Sequence, residues 1–218
     1  KVIFETRLPR SISACLTGAC LGLSGLILQY ITKNPMACPS LLGVNQGAAF
    51  GIVVVLSLFP FCPIPVYLLF SFIGGIIASL LTYFITVSIG FTSMRLIIAG
   101  QAINALFYAL IQSILIFLPT RSGIILINLN GSLSGSSWEL LKYISPVLIF
   151  CLILFFVHIK RIYILNLGFQ TASSLGMNVT KNLRYFLPLV VILSSFSIGL
   201  VGPILFFPLI VNHFGKIL

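Results

Sequence analysis

The stretch NPMACPSLLGVNQGAAFGIVVVLSLFPFCPIPVYLLFSFIGGIIASLLTYFITVSIGFTSM, residues 34–94, contains no Asp, Glu, Lys or Arg. A helix needs roughly 20 apolar residues to cross about 30 Å of hydrocarbon, so this run is about three crossings long. The segment PFCPIP at 60–65 interrupts it, because a helix cannot continue through prolines spaced so closely. The run therefore reads as two membrane spans joined by a tight turn, with 34–43 as an irregular lead-in. Lys33, Asn34 and Pro35 mark the turn after a preceding span, and Pro39 keeps the chain irregular until a helix begins near Gly43.

The pattern extends outward in both directions. Charge-free runs also cover 11–32, 96–120, 122–138, 143–159, 162–180 and 185–215. Hydrophobic residues make up 59% of the chain and charged ones 6%, with a mean hydropathy of +1.21, whereas a soluble domain carries about a quarter charged residues. Irregular backbone cannot face lipid with its polar groups unpaired, and a barrel would show short alternating strands instead of long apolar runs. The expected fold is an all-α integral membrane protein, a polytopic helical bundle with seven spans near 11–32, 44–60, 65–90, 96–118, 143–160, 184–201 and 203–217. Two connections are long. Residues 119–142 carry NLNGSLSGSSWE, rich in turn formers and ending beside Trp138, a residue favoured at membrane interfaces. Residues 161–183 carry LGFQTASSLGMNVTKN, polar enough to lie in water and short enough for two small helices.

The net charge of +10 does not point to nucleic acid, because the basic residues sit singly or in small groups at the ends of apolar runs. Alternation of the spans puts Lys33, Arg95, Lys160, Arg161, Lys181 and Arg184 on one side and Lys1, Arg7, Arg10, Arg121 and Lys142 on the other. The positive-inside rule favours the first group as cytoplasmic, which leaves Arg7 and Arg10 as positive charges facing outward. The cysteines at 15, 20, 38, 62 and 151 are scattered without metal-ligand spacing and read as small buried hydrophobes. His158 and His213 stand alone at the ends of apolar runs, so no metal site or cofactor is expected. The only acidic residues, Glu5 and Glu139, lie outside the spans, and no phosphate loop of the G-x-x-x-x-G-K-[ST] type occurs. The chain is thus not expected to hydrolyse ATP, and spans without ionisable groups argue against ion-coupled transport.

Helices in lipid associate by close backbone approach at small residues. Gly18 and Gly22 are four apart, as are Gly43, Gly47 and Gly51, and Ala48, Ala49 and the Gly74, Gly75, Ala78 group add more small surface. Structural packing is the plainer reading of these positions, and a pathway lining the alternative.

RLPR (7–10), TGACLGLSGLILQ (17–29), NPMACPSLLGVNQGAAFG (34–51), GSLSGSSW (131–138), LNLGFQTASSLGMNV (165–179) and GPILFFPLIVNH (202–213) follow one another in an order that resembles the FecCD-type permeases of binding-protein-dependent ABC importers. That family takes up iron-siderophores, haem and cobalamin. The resemblance implies a single transmembrane permease domain over 1–218, corresponding to the second through eighth spans of a ten-span fold and lacking the first and the last two. It implies an iron-siderophore importer subunit in a bacterial cell membrane, with haem or cobalamin as alternative substrates and a non-functional structural membrane fragment as the rival reading.

The partners implied are ABC ATPase subunits, an extracellular substrate-binding lipoprotein, a second permease subunit, identical or not, and membrane lipid. Arg7 and Arg10 would dock the binding protein through its acidic residues; ordinary interfacial anchoring is the alternative. Gly168, Phe169, Ala172, Leu175, Gly176 and Met177 would form the segment coupled to the ATPase, with the four apolar members as its contact face. Gln29, Asn34, Pro35, Gly43, Gln46, Gly47 and Gly51 are candidates for pathway or packing positions, the two glutamines lining a low-specificity path. The chain departs from the family pattern at Asn128, where an aromatic residue is usual, at Asn212-His213 in place of Pro-His, at Lys216 in place of arginine, and in FFPLIV. These changes bear on substrate details.

Overall fold

The first helix begins well before the apolar run that predicted it. In the computed structural model, which describes residues 3–90, 92–204 and 207–217, leaving aside the side chains at 93, 120–122, 124, 180 and 215–217, a wide turn over Ile3–Arg7 leads directly into α1 (Leu8–Thr32). RLPR thus lies within the helix. Pro9 is the second residue of α1 and follows directly on the wide turn, so its missing N–H leaves one carbonyl of that turn without a helical donor. The helix stops at Lys33, which closes it in the left-handed conformation at φ 56°.

The lead-in at 34–43 turns back into the protein. The Asn34 side chain accepts from the Met36 N–H at 2.9 Å, and a 3-10 turn over Pro39–Leu42 ends at Gly43 with φ 77°. Ala37, Cys38 and Leu42 are buried. The segment packs against α4 (Ser93–Phe117) at Gly100, where a Cβ would lie 1.6 Å from the Leu41 carbonyl oxygen. Gly100 lies seven residues into α4, about 10 Å along its axis, so α2 (Val44–Leu58) starts at depth and is short, with 15 residues. The expected span at 44–60 is therefore a short helix fed by buried irregular backbone. Gly43 caps it in a left-handed conformation and does not belong to the helical face that Gly47 and Gly51 share.

That face meets α3 (Ile64–Ile89) backbone to backbone. A Cβ on Gly47 would lie 2.5 Å from the Gly74 carbonyl oxygen, and one on Gly51 2.0 Å from that of Phe70. Ala78 and Gly74 provide the matching small surface on α3.

The connection at 119–142 is not a loop throughout. Pro119 opens α5 (Pro119–Leu129), followed by a 3-10 turn over Leu133–Gly135 and then α6 (Trp138–Val157), capped by the Ser137 hydroxyl, which accepts from the Leu140 N–H at 3.2 Å. Arg121 and Gly123 disguised α5 in the sequence, although proline at the first helical position is favourable. The connection at 161–183 does contain two small helices, α7 (Ile159–Asn166) and α8 (Phe169–Ser174), before α9 (Val179–Val201).

Among the described residues, five helical stretches are long and apolar enough to cross a membrane: Ile3–Thr32, Ile64–Ile89, Met94–Phe117, Trp138–Val157 and Lys181–Val201. The seven expected spans thus reduce to these five together with α2 and α10 (Phe207–Ile217), which has 11 residues, about 16 Å. α9 is interior, with 67% of its apolar window buried against 28% for α3 and for α6, whose outer faces suit hydrocarbon. It packs on α1, α2, α3 and α6, while α10 lies along α1 at Gly18, Gly22 and Gly25. Three cysteines, at 20, 38 and 151, are buried as expected, but Cys15 is exposed.

The helix contact at Gly51 yields a direct test. Gly51→Val should lower thermal stability of the full-length protein in detergent by an amount on the order of 3 kcal/mol, at or above the upper end of ordinary overpacking. Gly135→Ala, at a position with no neighbour within 4 Å, should leave the midpoint unchanged; equal effects would contradict the contact.

Candidate functional site

Functional candidates gather at the two ends of the bundle. Lys33 and the α7–α8 segment share one end, because the Lys33 ammonium donates to the Asn166 carbonyl at the C-terminus of α7. A cation there meets the negative end of the helix dipole. The Trp138 indole donates to the Phe4 carbonyl at 2.8 Å and so defines the other end, that of Arg7 and Arg10. The charge grouping expected from alternation is reproduced for the basic residues whose side chains are described; Lys1, Arg121 and Lys216 lie outside them.

At the Lys33 end, α6 passes almost directly into α7 through His158, whose Nδ1 is 3.0 Å from the Leu154 carbonyl and 3.2 Å from the Tyr185 hydroxyl of α9. Gly168, at φ 115°, separates α7 from α8. α8 closes with a paired set of bonds, Met177 N–H to the Ala172 carbonyl at 3.0 Å and Gly176 N–H to the Ser173 carbonyl at 2.9 Å. This is the Schellman arrangement, and it requires the left-handed residue that Gly176 supplies at φ 80°. Asn178 follows at once as the cap of α9, accepting from the Lys181 N–H at 2.9 Å. The end of α8 is thereby joined to α9, the most enclosed of the membrane-length helices, without a slack residue.

The four apolar residues expected to form one exposed contact face divide. Ala172 is fully buried, and Phe169 and Met177 pack half-buried against the core. Leu175 is 62% exposed, and it shares the free surface with Gly176, Leu167 and Tyr163. Leu167 and Tyr163 were missed because Tyr163 lies in α7, only eight residues long, and Leu167 follows it, too short a stretch for periodicity to show which side faces inward.

At the other end Arg7 and Arg10 are exposed and three residues apart, on adjacent sides of the same helical turn. Neither pairs with a carboxylate among the described residues. A polar pocket of about 100 Å³ lies nearby, lined by Tyr67, Asn128, Ser132 and Ser134 among others. Asn128 stands 3.5 Å from the Tyr67 hydroxyl, and its carbonyl oxygen would be 2.6 Å from a Cβ on Gly202. Gly131 and Gly202, both left-handed, meet here and bring the end of α5 against the end of α9. In the nearby Phe59–Pro63 turn, burial pushes the Cys62 thiol up, against a backbone hydrogen bond that lowers it.

The remaining candidates are dispersed. Gln29 is enclosed at 4% exposure, so it faces no open surface of this chain, while Gln46 and Asn34 are half-buried and Pro35 is exposed. Asn212 is buried against α1 at Gly25, with its amide nitrogen unpartnered. In the motif at 202–213, Leu205 and Phe206 lie outside the described residues.

Interior helices joined by glycine contacts, with lipid-suited outer faces, define a multi-pass membrane protein of the permease class. The model of the FecCD transport family matches residues 1–218, and the chain belongs to that family. It is 32% identical over 216 residues to the ferric enterobactin transport system permease protein FepG of Escherichia coli, covering 99% of this chain and 65% of that protein. It is 36% identical over 222 residues to the Fe(3+) dicitrate transport system permease protein FecC of the same organism, covering 99% and 66%. With the iron(3+)-hydroxamate import system permease protein FhuG of Bacillus subtilis the identity is 30% over 223 residues, covering 99% and 66%. The chain thus spans about two thirds of the length of these relatives. A solved metal-chelate type ABC transporter in an inward-facing conformation superposes with a TM-score of 0.89 at 27% identity, over 100% of this chain and 70% of that one.

The Schellman closure makes a specific demand. Left-handed backbone costs a residue with a side chain about 1–2 kcal/mol, which corresponds to roughly 5–30-fold faster local opening. Gly176→Val should accelerate amide exchange at Leu175–Met177 by that factor, whereas Gly176→Asn, which tolerates the conformation, should stay within about twofold. Equal acceleration by both would contradict the assignment.

Proposed function

We propose that the chain forms the membrane pathway of a binding-protein-dependent ABC importer for ferric chelates, in a bacterial cell membrane. Siderophore or citrate complexes of iron are the substrates, because the relatives are named for enterobactin, dicitrate and hydroxamate iron transport. Haem and cobalamin are the alternative cargoes of the same family. ATP hydrolysis belongs to separate ATPase subunits, and a second permease subunit completes the pathway.

The observation that carries this reading is the continuous link from α8 to α9. An ATPase pressing on Leu175, Leu167 and Tyr163 would move α8. The Schellman closure and the Asn178 cap would pass that displacement to α9 without slack. The far end of α9 meets α5 through Gly202 and Gly131, so closure on one face would be felt on the other. Pathway polarity would come from uncharged groups such as Gln46, with selection of the chelate left to the external lipoprotein. Gly168 and Gly176 serve as the bends that give α8 its position.

Arg7 and Arg10 would receive acidic residues of the lipoprotein. An exposed ion pair is worth about 0–1 kcal/mol, so these charges act chiefly on encounter and orientation. Charge reversal, Arg7→Glu with Arg10→Glu in the full-length permease, should reduce the initial rate of radiolabelled ferric-siderophore uptake by about tenfold at low ionic strength, with the deficit shrinking as salt rises. Uptake unaltered at low salt would remove the docking role. Uptake that persists when ATP is depleted would overturn the importer reading as a whole.

A further inference from the structure

A cavity of about 670 Å³, open to the side, lies between α3 and α9 on the Lys33 side of the bundle. Phe72, Leu80 and Val87 line it from α3, and Leu187 and Val191 from α9, with Arg184 at its rim. Leu80 and Val87 are both 47% exposed, so the lining faces outward between the helices. Its inner end is closed where the Phe72 ring meets that of Phe196 at 5.1 Å. From Arg184 to Ile192, another lining residue, α9 advances about 12 Å, close to the roughly 15 Å hydrocarbon depth of one leaflet.

The charge at the rim lacks a counter-charge within the chain. The sequence contains two acidic residues, Glu5 and Glu139, and both belong to the opposite end. Arg95, at the same end as Arg184, donates to the Ile89 and Gly90 carbonyls at 2.7 and 2.9 Å and so closes the C-terminus of α3. Arg184 makes no such bond among the described residues. Lys181 stands exposed one turn away and reinforces the positive rim. Pro188, also in the lining, lacks the N–H that would pair with the Arg184 carbonyl, which leaves that carbonyl without its helical donor.

An apolar slot one leaflet deep with an unpaired arginine at the headgroup level has the chemistry of a phospholipid site. We propose that this groove binds an acidic phospholipid of the cytoplasmic leaflet, its acyl chains against α3 and α9 and its phosphate on Arg184. The site is independent of the transported substrate and requires only that the bundle spans a membrane. Guanidinium binds phosphate oxygens strongly, and an anionic headgroup adds to the attraction.

The test uses the full-length permease reconstituted in vesicles, with Val87→Trp as the reporter and dibrominated lipids as quenchers. The native Trp138 lies at the opposite end, and the parent protein gives its contribution for subtraction. Dibrominated phosphatidylglycerol should bind about fivefold or more tightly than dibrominated phosphatidylcholine. Arg184→Gln should bring the ratio below about two, and Arg184→Lys should largely restore it. Millimolar inorganic phosphate should leave the quenching unchanged. Equal binding of the two lipids, or a preference that survives Arg184→Gln, would overturn the proposal, as would displacement by free phosphate. Reporter emission insensitive to both lipids would show a protein segment or second copy filling the groove and would equally overturn it.

Discussion

Everything around the second helix depends on finding donors for the Ser40 and Leu42 backbone carbonyls inside the protein. Irregular backbone at membrane depth is tolerated only where protein encloses it and satisfies its polar groups. Here the Asn104 amide of α4 donates to the Ser40 carbonyl, and the Thr82 hydroxyl of α3 donates to the Leu42 carbonyl at 3.0 Å. Gly100 lets the segment come close enough for these bonds to form. With the lead-in fixed, α2 starts at depth, and the Gly47–Gly74 and Gly51–Phe70 contacts fall into register.

The same logic separates what could be read from the sequence from what could not. The proline break at 60–65 announced the α2–α3 turn, and the polar stretch at 161–183 announced two small helices, because both signals are local. The depth of α2 was hidden, since Thr82 and Asn104 are single polar residues in apolar helices and nothing nearby in sequence names their partners. Arg7, Pro9 and Arg10 precede the charge-free run that marked the first span, yet the helical stretch extends back through all three. Of the residues in the 161–183 connection, Gly168 and Gly176 were legible by type, as glycines at bends, whereas the burial of Ala172 and the exposure of Leu167 depend on how α7 and α8 lie on their neighbours.

Asn128 illustrates how a departure from a family pattern acquires a physical setting. It stands beside the Tyr67 hydroxyl, and its carbonyl lies where Gly202 leaves room. Polar groups thus take the positions where α3, α5 and α9 converge. Together with the Schellman-capped α8 at the opposite end, this makes α9 the element through which the two faces of the bundle are connected.

The central claim is that donors from α3 and α4 hold the buried segment in place, and hydrogen exchange of the full-length protein in vesicles measures it most directly. In Asn104→Leu the Ser40 carbonyl keeps only the local Gly43 N–H at 3.1 Å and loses its tie to α4, at a cost of about 0.5–1.5 kcal/mol for one hydrogen bond. Amides of residues 41–47 should then exchange roughly 2–13-fold faster, while those of α6 keep their protection. Unchanged exchange at 41–47, or an equal loss of protection throughout the bundle, would contradict the account.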